Sequence, residues 1–182
     1  MIKLFVTLSV LSLFLVSCSD DDARSKKEIK ADIEKVEKKV NDLTKFGKVT
    51  PELESAAKDL DGYLLEYYHA YPEDKYSANC LSKVHMLASG LGDVKKSVAY
   101  ADTLLELYPD FVDRAQIIES QIQAYEMMIE PRQVDKIKGY LKLWLKENKK
   151  APKDKIEDME YHLKYVEMSL EDRMRMNMEE LN

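Results

Sequence analysis

The sequence is poor in the residues that interrupt helices. Glycine and proline each occur only five times in 182 residues, and cysteine occurs only twice, at Cys18 and Cys80. The alternation of polar and apolar residues that is typical of strands is nearly absent. Leu, Lys, Glu, Ala and Met dominate instead, and these are strong helix formers. The composition therefore predicts an all-α fold.

Basic clusters and catalytic motifs are also missing. The chain has 28 Lys and Arg residues against 34 Asp and Glu, and its net charge of −6 includes no basic patch that would hold a phosphate backbone. It has no phosphate loop, no G-x-S-x-G sequence and no dinucleotide fingerprint. Its three histidines are far apart in sequence: His69, His85 and His162. We therefore expect no enzyme activity, no cofactor, no metal site and no nucleic-acid partner.

The one long apolar run is at the N-terminus. Leu4 to Val16 carry no charge, and these about thirteen residues suit a signal-peptide core of roughly 7–15 residues better than a membrane span of roughly 17–25. The sequence Leu-Val-Ser-Cys at 15–18 resembles the lipobox of bacterial lipoproteins, in which signal peptidase cuts just before the cysteine. The resemblance implies a signal peptide at 1–17 and lipid attachment to Cys18. The alternative is an ordinary secretory signal with an incidental cysteine.

Acidic residues follow the lipidation site. Ser19 precedes Asp20 to Asp22, and by resemblance to lipoproteins a serine here argues against retention in the inner membrane. The acidic run looks like the export signal that sends lipoproteins to the cell surface in some Gram-negative lineages. The alternative is a solvated linker kept extended by charge repulsion. We expect residues 18–25 to be a lipidated acidic tether at the bacterial outer membrane, with the cell surface slightly favoured over the periplasmic face.

Apolar spacing predicts about seven helices. The first covers about 24–46, and the second opens at Thr50-Pro51, an N-cap followed by proline. The remaining starts are marked by proline or by an N-cap aspartate: Pro72, Asp93, Pro109-Asp110, Pro131 and Pro152. We expect a helical domain at 26–171 and a flexible tail at 172–182.

A self-match at an offset of 37 residues indicates a repeat. Tyr71-Pro72 corresponds to Tyr108-Pro109, and Ala78 corresponds to Ala115. Helix pairs that cannot bury their apolar faces alone stack into a solenoid. The segments YLLEYYHAYPEDKYSANCL and YADTLLELYPDFVDRAQII resemble tetratricopeptide repeats, especially those of outer-membrane assembly lipoproteins of the BamD type. This resemblance implies a tetratricopeptide-like helical solenoid of about three helix pairs plus a C-terminal capping helix. An irregular helical bundle is the alternative.

Polar or soft residues share one face of the first helix in two successive pairs. They are Asn79, Ser82 and Met86, and at the 37-residue offset Gln116, Glu119 and Gln123. We regard this set as the best candidate for a peptide-binding groove, and plain solvent exposure is the alternative for each residue taken singly.

Other chemically distinctive residues are expected to have structural roles. His85 follows Leu81 by four residues at the edge of a buried stripe, which favours a core or flanking histidine over a metal ligand. A lipidated Cys18 would leave Cys80 without a disulfide partner, as a buried and inert thiol. Tyrosines at helical spacing, here Tyr63, Tyr67, Tyr68 and Tyr71, are expected to pack between helices.

These features predict a lipid-anchored protein–protein interaction adaptor whose partner is an envelope protein or peptide, with a role in envelope protein assembly. The alternative is a surface-exposed substrate-binding lipoprotein for glycan or peptide uptake, supported only by the single tryptophan, Trp144. The 4-3 apolar spacing of residues 24–46 would also suit a coiled coil, although packing as the first solenoid helix is favoured. The oligomeric state is left open.

Overall fold

The structure is a computed structural model that describes residues 24–45 and 47–180. Throughout these ranges the chain forms helices joined by turns and contains no strand, so the predicted all-α class is confirmed. The signal peptide predicted at 1–17, Cys18 and the tether up to residue 23 lie outside the described residues. The helices are α1 (Lys26–Thr44), α2 (Pro51–Ala70), α3 (Lys75–Gly90), α4 (Val94–Leu107), α5 (Arg114–Met127), α6 (Val134–Glu147), α7 (Lys153–Lys164) and α8 (Leu170–Glu180).

Local side-chain chemistry fixes where the first four helices begin. Ser25 and Glu28 form a capping box at α1, since each side chain bonds the backbone of the other residue. Thr50 caps α2 with its hydroxyl and Pro51 follows at the first helical position, as the sequence predicts. Asp93 caps α4 by accepting from the Lys96 amide. These contacts satisfy amide groups that have no partner within the helix.

The 37-residue repeat is visible in the hydrogen bonds at the two Tyr-Pro turns. The Tyr71 amide bonds the carbonyl four residues earlier, and the Tyr108 amide does the same. The Tyr71 hydroxyl donates to the Arg24 carbonyl at 2.7 Å, and the Tyr108 hydroxyl donates to the Pro72 carbonyl at 2.6 Å. Each tyrosine therefore ties the end of one helix pair to the backbone just before that pair's first helix.

The fifth helix begins later than the sequence predicts. Its predicted opening at Pro109-Asp110 is wrong, because α5 begins at Arg114. At the equivalent turn before α3, Asp74 accepts from the Tyr76 amide and starts the helix. The residue 37 positions later is Phe111, whose side chain has no acceptor with which to cap a helix.

The C-terminal region also differs from the sequence prediction. Pro131 precedes α6 by three residues instead of opening it, since α6 begins at Val134. The region for which a flexible tail is predicted, 172–182, falls on α8 as far as Glu180. Arg173 of this helix is buried. The described residues thus contain eight helices, one more than predicted.

The core consists of two apolar clusters that meet at α3. Cys80 and Val84 of α3 belong to a cluster with α1 and α2. Ala78 and Leu81 of the same helix belong to a cluster with α4, α5 and α6. Two adjacent faces of α3 therefore pack in different clusters, as expected when stacked pairs share a continuous core.

Alternate helices lie side by side and form two walls. We call α1, α3, α5 and α7 the odd wall. Side-chain contacts join each of these helices to the next: Glu37–Lys83 at 2.6 Å, His85–Ser120 at 2.9 Å and Glu119–Lys155 at 2.8 Å. We call α2, α4 and α6 the even wall. Contacts of the same kind join them: Asp61–Lys96 at 2.6 Å and Asp102–Lys136 at 3.3 Å. Consecutive helices from α1 to α7 also pack on one another, so the arrangement is a two-layered helical repeat.

Candidate partner-binding site

The six predicted groove residues lie on α3 and α5 of the odd wall. Their side chains are exposed or half-buried, and Met86 is the most apolar of them, at 65% exposed. They do not line one continuous groove. Asn79 borders a depression beside the Tyr108-Pro109 turn, Met86 borders an apolar groove near the N-terminus, and Glu119 and Gln123 border a pocket near the C-terminus. The remaining two, Ser82 and Gln116, are half-buried and exposed respectively.

The N-terminal groove is a cavity of about 430 Å³ between α1 and α3, with α2 behind it. Leu53 and Leu60 of its lining are buried, while Val49, Met86 and Leu91 at its edge are exposed. Sequence reasoning identified Met86 alone, because Val49 and Leu91 lie at or beyond helix ends, where helical periodicity does not assign a face.

The C-terminal pocket is a cavity of about 440 Å³ lined by α5, α7 and α8. The Glu126 side chain, only 4% exposed, has three basic partners there. Arg132 donates through two nitrogens at 3.1 and 2.9 Å, Arg173 donates at 2.5 Å, and His162 lies 3.3 Å away. Such charge-assisted contacts are stronger than neutral hydrogen bonds. The pocket is therefore organised around one buried carboxylate.

Burial changes the proton affinities of the basic groups around Glu126. The pKa of His162 is lowered, first by burial and then by the positive charge of Arg173. Burial likewise lowers the pKa of Arg173. The Arg173 Nε atom is buried without a hydrogen-bond acceptor. Sequence reasoning missed this cluster, because Glu126 is separated from Arg173 by 47 residues and from His162 by 36.

His85 forms the arrangement that most resembles a catalytic one. Its Nδ1 lies 2.8 Å from the Ser97 hydroxyl, and its Nε2 lies 2.9 Å from the Ser120 hydroxyl. The histidine is 6% exposed, which confirms the predicted core position, and burial lowers its pKa. The arrangement joins α3, α4 and α5 through one buried imidazole.

The tyrosine-rich end of α2 packs between helices, as predicted. Tyr67 is fully buried, with its ring 5.3 Å from that of Tyr71 and 4.9 Å from that of Tyr76. Trp144 is also buried, and its indole N–H donates to Glu119 at 2.9 Å. The one tryptophan therefore offers no exposed ring on which a sugar could stack.

The thiol of Cys80 is free and buried, and burial raises its pKa to about 12. This confirms the buried position predicted from the sequence. Among the residues that the structure describes, no three His, Cys, Asp or Glu side chains are grouped to hold a metal ion. Within the same ranges, no helix combines the length and the apolar character needed to cross a membrane.

The site thus consists of an odd wall with exposed polar side chains, an apolar groove near one end and a charged pocket near the other. Comparison of the chain with protein-family models, curated proteins and solved structures finds no match.

Proposed function

We propose that the chain is a lipid-anchored, non-enzymatic adaptor of the bacterial outer membrane that binds an envelope protein or peptide and acts in envelope protein assembly. The observation that carries the proposal is the odd wall. Its helices are fixed to one another by side-chain contacts, while Asn79, Met86, Gln116 and Gln123 stay exposed on it. Stacked helix pairs of this kind present extended binding surfaces.

The repeated Tyr-Pro turn also supports the adaptor function. Tyr71 and Tyr108, which are 37 residues apart, each bond the backbone just before the first helix of their own pair, and the resemblance to tetratricopeptide proteins rests on that same offset. A repeat whose units share one geometry can align several contacts along an extended partner segment.

Attachment to the membrane would come from the lipid on Cys18. One acyl chain binds a bilayer marginally, whereas two or three bind it firmly, at about 0.8 kcal/mol per buried methylene. The tether at 18–25 would then hold the helical domain close to the surface. The acidic run Asp20 to Asp22 favours the outer face of the outer membrane.

The anchor is tested by Cys18→Ser. We expect the wild-type chain to remain with the outer-membrane fraction and to be degraded when intact cells are treated with a protease. The Cys18→Ser chain should keep its signal peptide and lose acyl labelling with radioactive palmitate. A Cys18→Ser chain that matures normally and stays with the membrane fraction would refute the lipid anchor.

The binding surface is tested by photo-crosslinking in cells. A benzophenone amino acid placed at Gln116, exposed on the odd wall, should capture a discrete envelope protein. The same amino acid at Glu106, exposed on α4 of the even wall, is the matched control and should capture none. Equal capture at both positions, or no capture at Gln116, would contradict the adaptor function.

A further inference from the structure

Helix α8 departs from the alternation of the two walls. Helices α2, α4 and α6 join one another in the even wall through Asp61–Lys96 and Asp102–Lys136. By that rule α8 would pack against α6. Its buried side chain, Arg173, instead pairs with Glu126 of α5, and α8 lines the C-terminal pocket together with α5 and α7. The last helix therefore lies against the odd wall, beside Glu119 and Gln123.

A buried ion pair fastens α8, and over residues 170–176, whose side chains the structure describes, apolar packing adds little. Of the α8 side chains that the structure describes, from Leu170 to Met176, only Arg173 is buried. Leu170 is 36% exposed and Met174 is 53% exposed. Beneath them the pocket keeps its volume of about 440 Å³ and an apolar lining that includes Ile122 and Met159. Helix α8 covers this surface without filling it.

The side chains that α8 places at the pocket indicate what fits it. Lys155 pairs with Glu119, and Arg132 pairs with Glu126. Arg173 supplies a further cation to the Glu126 Oε1 atom, and on the same helix Met174 and Leu170 face the apolar lining. The complementary ligand is thus a helix with one basic residue flanked by aliphatic or thioether side chains.

We propose that the C-terminal pocket is a docking site for a partner helix that presents one Arg or Lys to Glu126, and that α8 occupies this site as a built-in competitor. The inference rests on the adaptor function proposed above and names the partner's chemistry at one part of the odd wall. A partner helix that inserts its cation must first displace Arg173. Release of α8 therefore controls access to Glu126 and to the apolar lining formed by Ile122 and Met159.

The test compares two arginines on the same helix in the mature chain. Arg173→Gln removes the buried cation, whereas Arg175→Gln removes an exposed one that pairs with Asp172 within α8. We expect Arg173→Gln to speed amide hydrogen exchange in α8 by at least about tenfold, since a charge-assisted contact is lost. Exchange in α2 to α4 should stay unchanged in both variants, which verifies that each is folded.

The second measurement asks whether the released site accepts a helix in trans. The probe is a fluorescent peptide with the sequence of residues 169–180, and its anisotropy reports binding. The Arg173→Gln chain should bind this peptide about tenfold more tightly than a peptide carrying Gln at position 173. The wild-type chain should bind the peptide much more weakly than the Arg173→Gln chain does, because α8 already occupies the site through Arg173.

Unchanged α8 exchange in Arg173→Gln would overturn the proposal, as would equal binding of the two peptides. Failure of the adaptor function can be told apart from failure of this inference. Loss of crosslinking at Gln116 with intact peptide binding would refute the adaptor and leave the docking site. Crosslinking at Gln116 without peptide binding would refute the docking site alone.

Discussion

Replacement of His85 by leucine tests whether the buried histidine stabilises the stack. Leucine is close enough in size to leave only a small cavity, so the main loss is polar. Ser120 also donates to the Ile117 carbonyl at 2.9 Å and keeps that bond. Ser97, which is 4% exposed, loses its histidine partner. The substitution removes two hydrogen bonds to the imidazole: the loss at Ser120 is partly compensated, and the Ser97 hydroxyl is left buried and unsatisfied, so the free energy of unfolding should fall by about 2 kcal/mol.

The assay is urea unfolding followed by far-ultraviolet circular dichroism at pH 7.5, where histidine is neutral. A loss of about 2 kcal/mol should also lower Tm by roughly 4–8 °C in a chain of this size. His69→Leu is the control, because His69 is exposed, and it should change stability by less than about 0.5 kcal/mol.

A double variant at His85 and Ser97 provides a second test. His85→Leu with Ser97→Ala removes both partners of the buried bond, and replacement of both by apolar groups can be nearly neutral. The double variant should therefore be more stable than His85→Leu alone. A His85→Leu chain within about 0.5 kcal/mol of wild type, or a double variant less stable than the single one, would refute the reasoning.

Three further results are expected. Burial lowers the folded-state pKa of His85 and His162 below 6.5, so the unfolded chain binds protons first and the free energy of unfolding should fall as pH drops from about 6.5 to 5. Urea titration at each pH should show a smaller fall for His85→Leu than for wild type. An identical fall would contradict this expectation. Tyr71→Phe and Tyr108→Phe each remove one hydrogen bond to a carbonyl, and each should lower the free energy of unfolding by about 1 kcal/mol. Calorimetry of the double variant should show that the two losses add. Strong coupling between them would show that the two turns are not independent. Cys80 should resist a thiol reagent in the native Cys18→Ser chain and react fully in urea, since its thiol is buried with a pKa of about 12; rapid native labelling would contradict this.

Features that depend on neighbouring residues could be predicted from the sequence. The caps at Thr50 and Asp93 follow from a hydroxyl or carboxylate placed just before an apolar run. The buried position of His85 follows from its distance of four residues from Leu81. The late start of α5 could have been anticipated, because Phe111 cannot replace the capping Asp74.

Features that depend on distant residues could not be predicted. The partners of His85 lie 12 and 35 residues away, and Arg173 lies 47 residues from Glu126. Helical periodicity placed Glu119 and Gln123 on an exposed face, but the pocket they line depends on where α8 returns to the stack. The lipid anchor at Cys18 stays a prediction.

Because α3 packs in both apolar clusters, it couples the unfolding of the two halves of the molecule. Cys80 and Val84 pack in the N-terminal cluster, and Ala78 and Leu81, on an adjacent face of the same helix, pack in the other. If either half of the molecule melts, an apolar side of α3 is left in water, which weakens the half that remains. The two halves should therefore lose their structure in a single cooperative transition, and no fragment that begins or ends within α3 should be stable alone.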